Sequence, residues 1–190
     1  MVGAVAVGFS LLYLLSDVIE LATGGYSAGQ LVITYAAEAA IPFMLIGLYA
    51  LQRPRIGWLG LISAVSYAYV FVFFTSTVVV ALIDHVPDMP ALQARFGIWF
   101  TAHGVLMILA GIGFGLAVYR AGVLPRWTGL GLIMGMVLMA VTSTLPPVTQ
   151  LASAAVRDLA FAAMGAALLV PSRRPEHPGA GRPAARRVVR

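Results

Sequence analysis

A chain of 190 residues that is 61% hydrophobic and only 10% charged has more apolar surface than a soluble domain of its size can bury, so composition points to a polytopic membrane protein of one domain. The absence of cysteine excludes a disulfide framework and a thiolate metal site, and the absence of lysine excludes Schiff-base chemistry of the retinal or pyridoxal kind. A net charge of +5 suggests nucleic acid in a soluble protein, but here the arginines sit in short loops and the tail, where they report topology, and no nucleic-acid partner is expected.

Apolar runs of about 20 residues are long enough to cross a bilayer. Six such runs are predicted, at 3–23, 30–51, 57–83, 96–119, 127–145 and 149–170. Gly24 and Gly25 end the first, Arg53-Pro54-Arg55 the second, and Pro146-Pro147 the fifth. A loop with Pro87 and Pro90 joins the third to the fourth. No basic segment precedes the first run, so a cleavable signal peptide is not expected. Residues 1–170 form the membrane domain, and residues 171–190, rich in Pro, Arg, Gly and Ala, are expected to be a disordered basic tail touching anionic lipid.

The arginines orient this all-α, six-helix bundle. Arg53 and Arg55, then Arg120 and Arg126, then Arg173, Arg174, Arg182, Arg186, Arg187 and Arg190 all fall on one side of a six-span count. That side is expected to be cytoplasmic and to carry both termini. Arg95 stands alone on the other side, beside Asp84 and Asp88. The lack of lysine suggests a GC-rich bacterial source, and hence a bacterial plasma membrane.

Topology converts sequence position into depth at about 1.5 Å per residue. Ser10, Tyr13, Asp17 and Glu20 make one polar stripe in the first helix, and Gln30, Thr34 and Glu38 make one in the second. Trp99 and His103 share a face near the outer end of the fourth, and Arg157 with Asp158 lies about two and a half turns into the sixth. A charged side chain at mid-bilayer costs on the order of 2.5–3.5 kcal/mol by insertion scales, so it normally faces a partner or a cavity. Asp17, Glu38, His103, Arg157 and Asp158 are thus expected to converge on one polar cavity in the outer half of the membrane, with Glu20 at its solvated rim. Small residues such as Gly111, Gly113, Gly115, Gly129, Gly131, Gly135 and Gly165 let the helices approach.

Adjacent residues on a helix diverge by about 100°, so Arg157 is expected to pair with an acid on another helix rather than with Asp158. Tyr67 and Phe74, one heptad apart, share a face with Ser63 and Thr77. With Trp99, His103, Phe161 and Tyr13 or Tyr35 they are expected to line the substrate end of the cavity. A metal needs about three suitable ligands, and His103 is the one well-placed imidazole, so no metal, haem or other cofactor is expected.

Buried carboxyls beside aromatic walls suit acid-initiated carbocation chemistry on a greasy substrate. Asp158 and Glu38, supported by Asp17, are the candidate catalytic acids, and Arg157 and Glu20 are charge partners. With Glu38 in an early helix and Asp158 in the last, the chain resembles the small membrane-integral terpene cyclases of meroterpenoid and indole-terpenoid pathways. The resemblance implies that these acids protonate a terminal alkene or epoxide of a prenylated, for example farnesylated, small molecule. It departs in helix number, since fungal members look seven-helical. The turn Ala121–Trp127 is similar to one in small bacterial membrane families of no assigned role. The alternative is a proton-coupled small-molecule transporter or a membrane subunit, because intramembrane acids near an arginine also build proton relays. Against transport, there is no inverted repeat, and Pro42 supplies a single helix break. Oligomeric state is left open.

Overall fold

The computed structural model describes residues 1–170; the expected basic tail lies outside them. The protein is all-helical: α1 Val2–Thr23, α2 Ala28–Leu51, α3 Gly57–Ile83, α4 Met89–Phe96, α5 Ile98–Ala121, α6 Arg126–Thr142 and α7 Pro147–Leu169. Five of them, α1, α2, α3, α5 and α7, are long and apolar enough to cross a membrane. α6 is apolar but has 17 residues, about 25 Å of helix against a hydrocarbon core of roughly 30 Å.

The element boundaries follow local chemistry. Ser27 caps α2 by accepting from the Gln30 amide, and Asp88 caps α4 by accepting from the Ala91 amide at 2.9 Å. Gly24 and Gly122 end α1 and α5 in the left-handed conformation that glycine adopts without strain. α4 corrects the expected loop. Its Pro90 sits in the first turn, where a proline has no amide to lose, so the prolines that read as a loop in fact open a helix. Leu92 on its buried face packs with Leu31, Val78, Ala81 and Val86, and Arg95 pairs with Asp84 at the end of α3. The last two long helices are also shifted from expectation, α6 stopping at Thr142 and α7 starting already at Pro147.

The six long helices form a closed ring in the order α1, α2, α3, α5, α6, α7, each packed on its chain neighbours and α7 returning to α1. Short turns make neighbours antiparallel, so the turns alternate between two ends. One end holds residues 24–27, α4 and residues 143–146; there the Tyr26 amide donates to the Pro87 carbonyl at 2.8 Å. The other holds residues 52–56 and 122–125, and with them Arg53, Arg55, Arg120 and Arg126. The arginine half of the ring is filled by Met44, Leu45, Leu48, Phe114, Val118, Leu132 and Met164, all fully buried.

Ring closure depends on close backbone approach. A Cβ at Gly165 of α7 would meet the Gly3 carbonyl oxygen at 2.6 Å, the Ala6 Cβ at 2.8 Å and the Val7 amide at 2.9 Å on α1. Gly165→Ala is expected to part α1 from α7 and destabilise the protein by about 1–3 kcal/mol, the usual range for overpacking. Gly8→Ala, with nothing within 4 Å of the added carbon, is the matched control. Thermal unfolding of the two variants in detergent checks this, with a lowered Tm expected for Gly165→Ala only.

Candidate functional site

The polar residues gather at mid-height in the ring, where α7 faces α1 and α6. Gly135 brings α6 onto the backbone of α7: a Cβ there would lie 2.6 Å from the Arg157 amide nitrogen. Arg157 and Asp158 are both buried, and the Arg157 Nε donates to Asp158 Oδ1 at 2.8 Å. This corrects the expected pairing of Arg157 across helices. The long arginine stem folds back over the step between neighbouring positions, so its partner is the adjacent residue. What Arg157 finds across the ring is not an acid. Its guanidinium carbon lies 4.9 Å over the Tyr13 ring of α1, and Nη1 approaches Met139 Sδ of α6 at 3.6 Å.

Tyr13 carries the arrangement to α2, its hydroxyl donating to Glu38 Oε1 at 3.0 Å. A continuous array, Asp158–Arg157–Tyr13–Glu38, therefore crosses three helices. Among the described residues, one buried oxygen of each carboxylate has no partner, Asp158 Oδ2 and Glu38 Oε2. Beneath lies a packed aromatic layer, with Tyr67 against Phe71 at 5.4 Å, Tyr67 against Phe161 at 5.9 Å and Tyr13 edge-on to Phe71 at 6.3 Å. Nearer the α4 end, Gln30 Nε2 donates to Ser16 and Thr34 at 3.0 and 2.9 Å, a buried polar knot joining α1 to α2.

Above the array is a cavity of about 600 Å³ bounded by α1, α4, α6 and α7. Its floor is Tyr13 and Arg157, its wall carries Asp17, Met139 and Ala154, and its mouth is ringed by Glu20, Asp88, Gln93 and Gln150. Tyr26 ties the mouth together, its hydroxyl reaching Met89 of α4 at 3.5 Å. Burial, and after it the nearby Glu20, holds the Tyr26 phenol above its ordinary range, so it remains a neutral donor.

The expected site residues divide into two groups. Tyr13, Asp17, Glu20 and Arg157 line the cavity. Glu38 and Asp158 lie behind its floor, held by Tyr13 and Arg157, and Tyr67 and Phe161 are buried in the layer beneath rather than on a cavity wall. The others are elsewhere. Tyr35 is 44% and Trp99 66% exposed on the outside of the ring. His103 stacks on Phe73 at 3.7 Å, with Nδ1 at 2.8 Å from the Trp99 carbonyl and Nε2 at 3.3 Å from the Tyr69 hydroxyl. Phe74 packs edge-on against Phe100. Position along a helix does not fix which way that helix is turned. Phe71, Met139 and Gln150 were not singled out from the sequence. Phe71 lay in an aromatic run with no helical period, and Met139 and Gln150 carry no pattern that marks them.

Among the described residues, no group of three or more His, Asp or Glu side chains is placed to hold a metal ion. No known protein family, curated protein or solved structure matches the chain.

A buried carboxylate that loses its donor is left with an unmet desolvation penalty, typically about 1–3 kcal/mol. Tyr13→Phe is expected to destabilise the protein by that amount, and less in a Glu38→Gln background. A double-mutant cycle followed by chemical denaturation in detergent measures the coupling, expected at about 1 kcal/mol.

Proposed function

We propose that the chain is a six-span enzyme of the bacterial plasma membrane, with both termini cytoplasmic, that starts a reaction of a lipid-soluble substrate by proton transfer in this cavity. The observation that carries the reading is an acid, Asp17, on the wall of an amphipathic cavity that opens at the α4 end. The cavity reaches from the α4 end to Tyr13 and Arg157 and there meets packed core. In this conformation a substrate enters and leaves on one side. The volume lies within the range of small-molecule sites.

Asp17 is the proposed proton donor. It lies on the wall and, among the described residues, is in no ion pair. Met139, Leu151 and Ala154 offer an apolar side to a prenyl chain. Protonation of a terminal alkene or epoxide by the Asp17 carboxyl would leave a carbocation, the chain would close on it, and loss of a ring proton to the Asp17 carboxylate so formed would end the reaction and restore the acid. Glu38, behind the Tyr13 hydroxyl, fixes that phenol at the floor. The aromatic walls expected for such chemistry lie one layer below, and the face of Tyr13 is already taken by Arg157. Cation stabilisation therefore falls to Asp17 and Glu20. Arg157 with Asp158 keeps the floor electrically matched, and no cofactor is called for. A prenylated molecule made in the cytoplasm would reach the outer mouth through the bilayer.

The test is turnover of a farnesylated phenol by the purified protein, with cyclised product read by mass spectrometry. Asp17→Asn is expected to lower turnover by about 10²–10⁴, the usual contribution of a general acid, with partial rescue by Asp17→Glu. Full activity of Asp17→Asn would overturn its role. Proton-driven uptake by sealed vesicles, without product, would replace the enzyme by a transporter.

A further inference from the structure

At the opposite end of the ring a second hollow, of about 450 Å³, lies where α2 turns into α3, lined by Tyr49, Arg53, Pro54, Gly57, Trp58 and Leu61. It shares no residue with the polar cavity, and the chemistry proposed there makes no use of it. The turn is held from beneath. Gln52 is fully buried and donates to the Leu48 carbonyl at 3.0 Å, and Ile56 is buried too, while Arg53, Pro54 and Arg55 between them point outward. Gly57, at φ 62°, reverses the chain into α3 with a geometry that side chains resist.

The groove combines two kinds of surface. Among the described residues, neither Arg53 nor Arg55 has a carboxylate within ion-pair distance, and the Tyr49 hydroxyl makes no hydrogen bond. The acids of the interhelical segments, Asp84 and Asp88, stand at the other end of the ring. Beside these free donors Trp58 is 77% exposed, and Ile62 and Val65 continue its apolar stripe down the outer face of α3 at 63% and 50% exposure. An indole at the end of a membrane helix belongs at headgroup level.

We propose that this groove binds an anionic phospholipid, with its phosphate on the Arg53 guanidinium and the Tyr49 hydroxyl and an acyl chain along Trp58, Ile62 and Val65. Charge complementarity selects the headgroup. A guanidinium presents two parallel donors to a phosphate, and unpaired it keeps its full charge for one. The apolar stripe selects a lipid over a free anion, because only a lipid covers it. The turn buried on Gln52 and Ile56 pre-forms the site, so little ordering is needed on binding.

Six more arginines, at 173, 174, 182, 186, 187 and 190, lie outside the described residues and add to the charge that draws anionic lipid. The experiment therefore compares two variants of equal charge, Arg53→Gln and Arg187→Gln. Retention of phosphatidylglycerol by the detergent-purified protein is titrated by native mass spectrometry, with phosphatidylcholine as the neutral probe. Arg53→Gln is expected to weaken phosphatidylglycerol binding about fivefold, the effect of one cation near a lipid surface, and Arg187→Gln to leave the tightest-bound lipid in place. Trp58→Ala is expected to weaken binding of both lipids. Equal loss in the two arginine variants, or phosphatidylcholine held as tightly as phosphatidylglycerol, overturns the site. Displacement of the lipid by excess inorganic phosphate at unchanged affinity in Trp58→Ala overturns the lipid assignment in favour of a free anion. Arg53 and Trp58 are exposed, so an unchanged Tm is expected for both variants.

Discussion

A guanidinium at mid-height in a ring of apolar helices has to be matched, and the matching of Arg157 organises its surroundings. Taking one charge out of water costs several kcal/mol even after relaxation, and a single partner rarely offsets it. Here the counter-charge comes from Asp158 on the same helix. The opposing helices are thereby freed to offer softer partners, the π face of Tyr13 and the sulfur of Met139. Contact at this range requires α6 and α1 to come close to α7. Gly135 permits the first approach and the Gly3–Gly165 crossing the second. Closure of the ring and burial of the charge are thus one problem, and neither is met without the other.

The pairing has a consequence for Glu38. With Arg157 engaged by its own neighbour, the acid on α2 has no cation among the described residues and takes a hydrogen bond from Tyr13 instead. Tyr13 then serves three elements at once: its hydroxyl holds α2, its face holds α7, and its edge meets Phe71 of α3. The polar half is consequently linked laterally by specific contacts, whereas the arginine half is held by interdigitated Leu, Met and Phe. Such a division puts an accessible hollow above the array and a plug below it, and the blind cavity follows from it.

Much of the fold was legible because the bilayer constrains it. An apolar helix must be long enough to cross and must satisfy its own backbone, and the alternation of arginine-bearing turns reports which ends lie together. α4 escaped because prolines mark both loops and helix starts, and only the packing of Leu92 decides between them. The site was legible in height but not in direction. Glu38, Arg157 and Asp158 join one array through Tyr13, with Asp17 one turn above it on the cavity wall; Trp99 and His103, nearer the α4 end, stay outside it, because α5 turns the His103 side toward Tyr69 and Phe73 of α3. An aromatic-rich neighbour satisfies a histidine as well as a polar cavity does, and composition alone does not tell them apart. The pairing of Arg157 failed for a related reason. The angle between adjacent Cα–Cβ bonds says little about where a flexible side chain of that length ends.

The division of the acids bears on what the cavity can do. Asp158 has one oxygen on Arg157 and lies behind it, and Glu38 lies behind Tyr13, so a substrate on the floor touches a phenol and a guanidinium before it touches either carboxylate. Asp17 has no such screen. It stands one helical turn above Tyr13 on the same face of α1, where a ligand resting on the floor passes it. Reach decides between acids before proton affinity does, because a donor must come within hydrogen-bond distance of the atom it protonates. On that criterion the residue that looked merely supportive in the sequence is the one able to act first. In the proposed reaction the two acids of the array hold Tyr13 and Arg157 in place at the cavity floor. A floor fixed from behind by two carboxylates is rigid, and the proposed proton transfer relies on such fixed geometry at its reacting end.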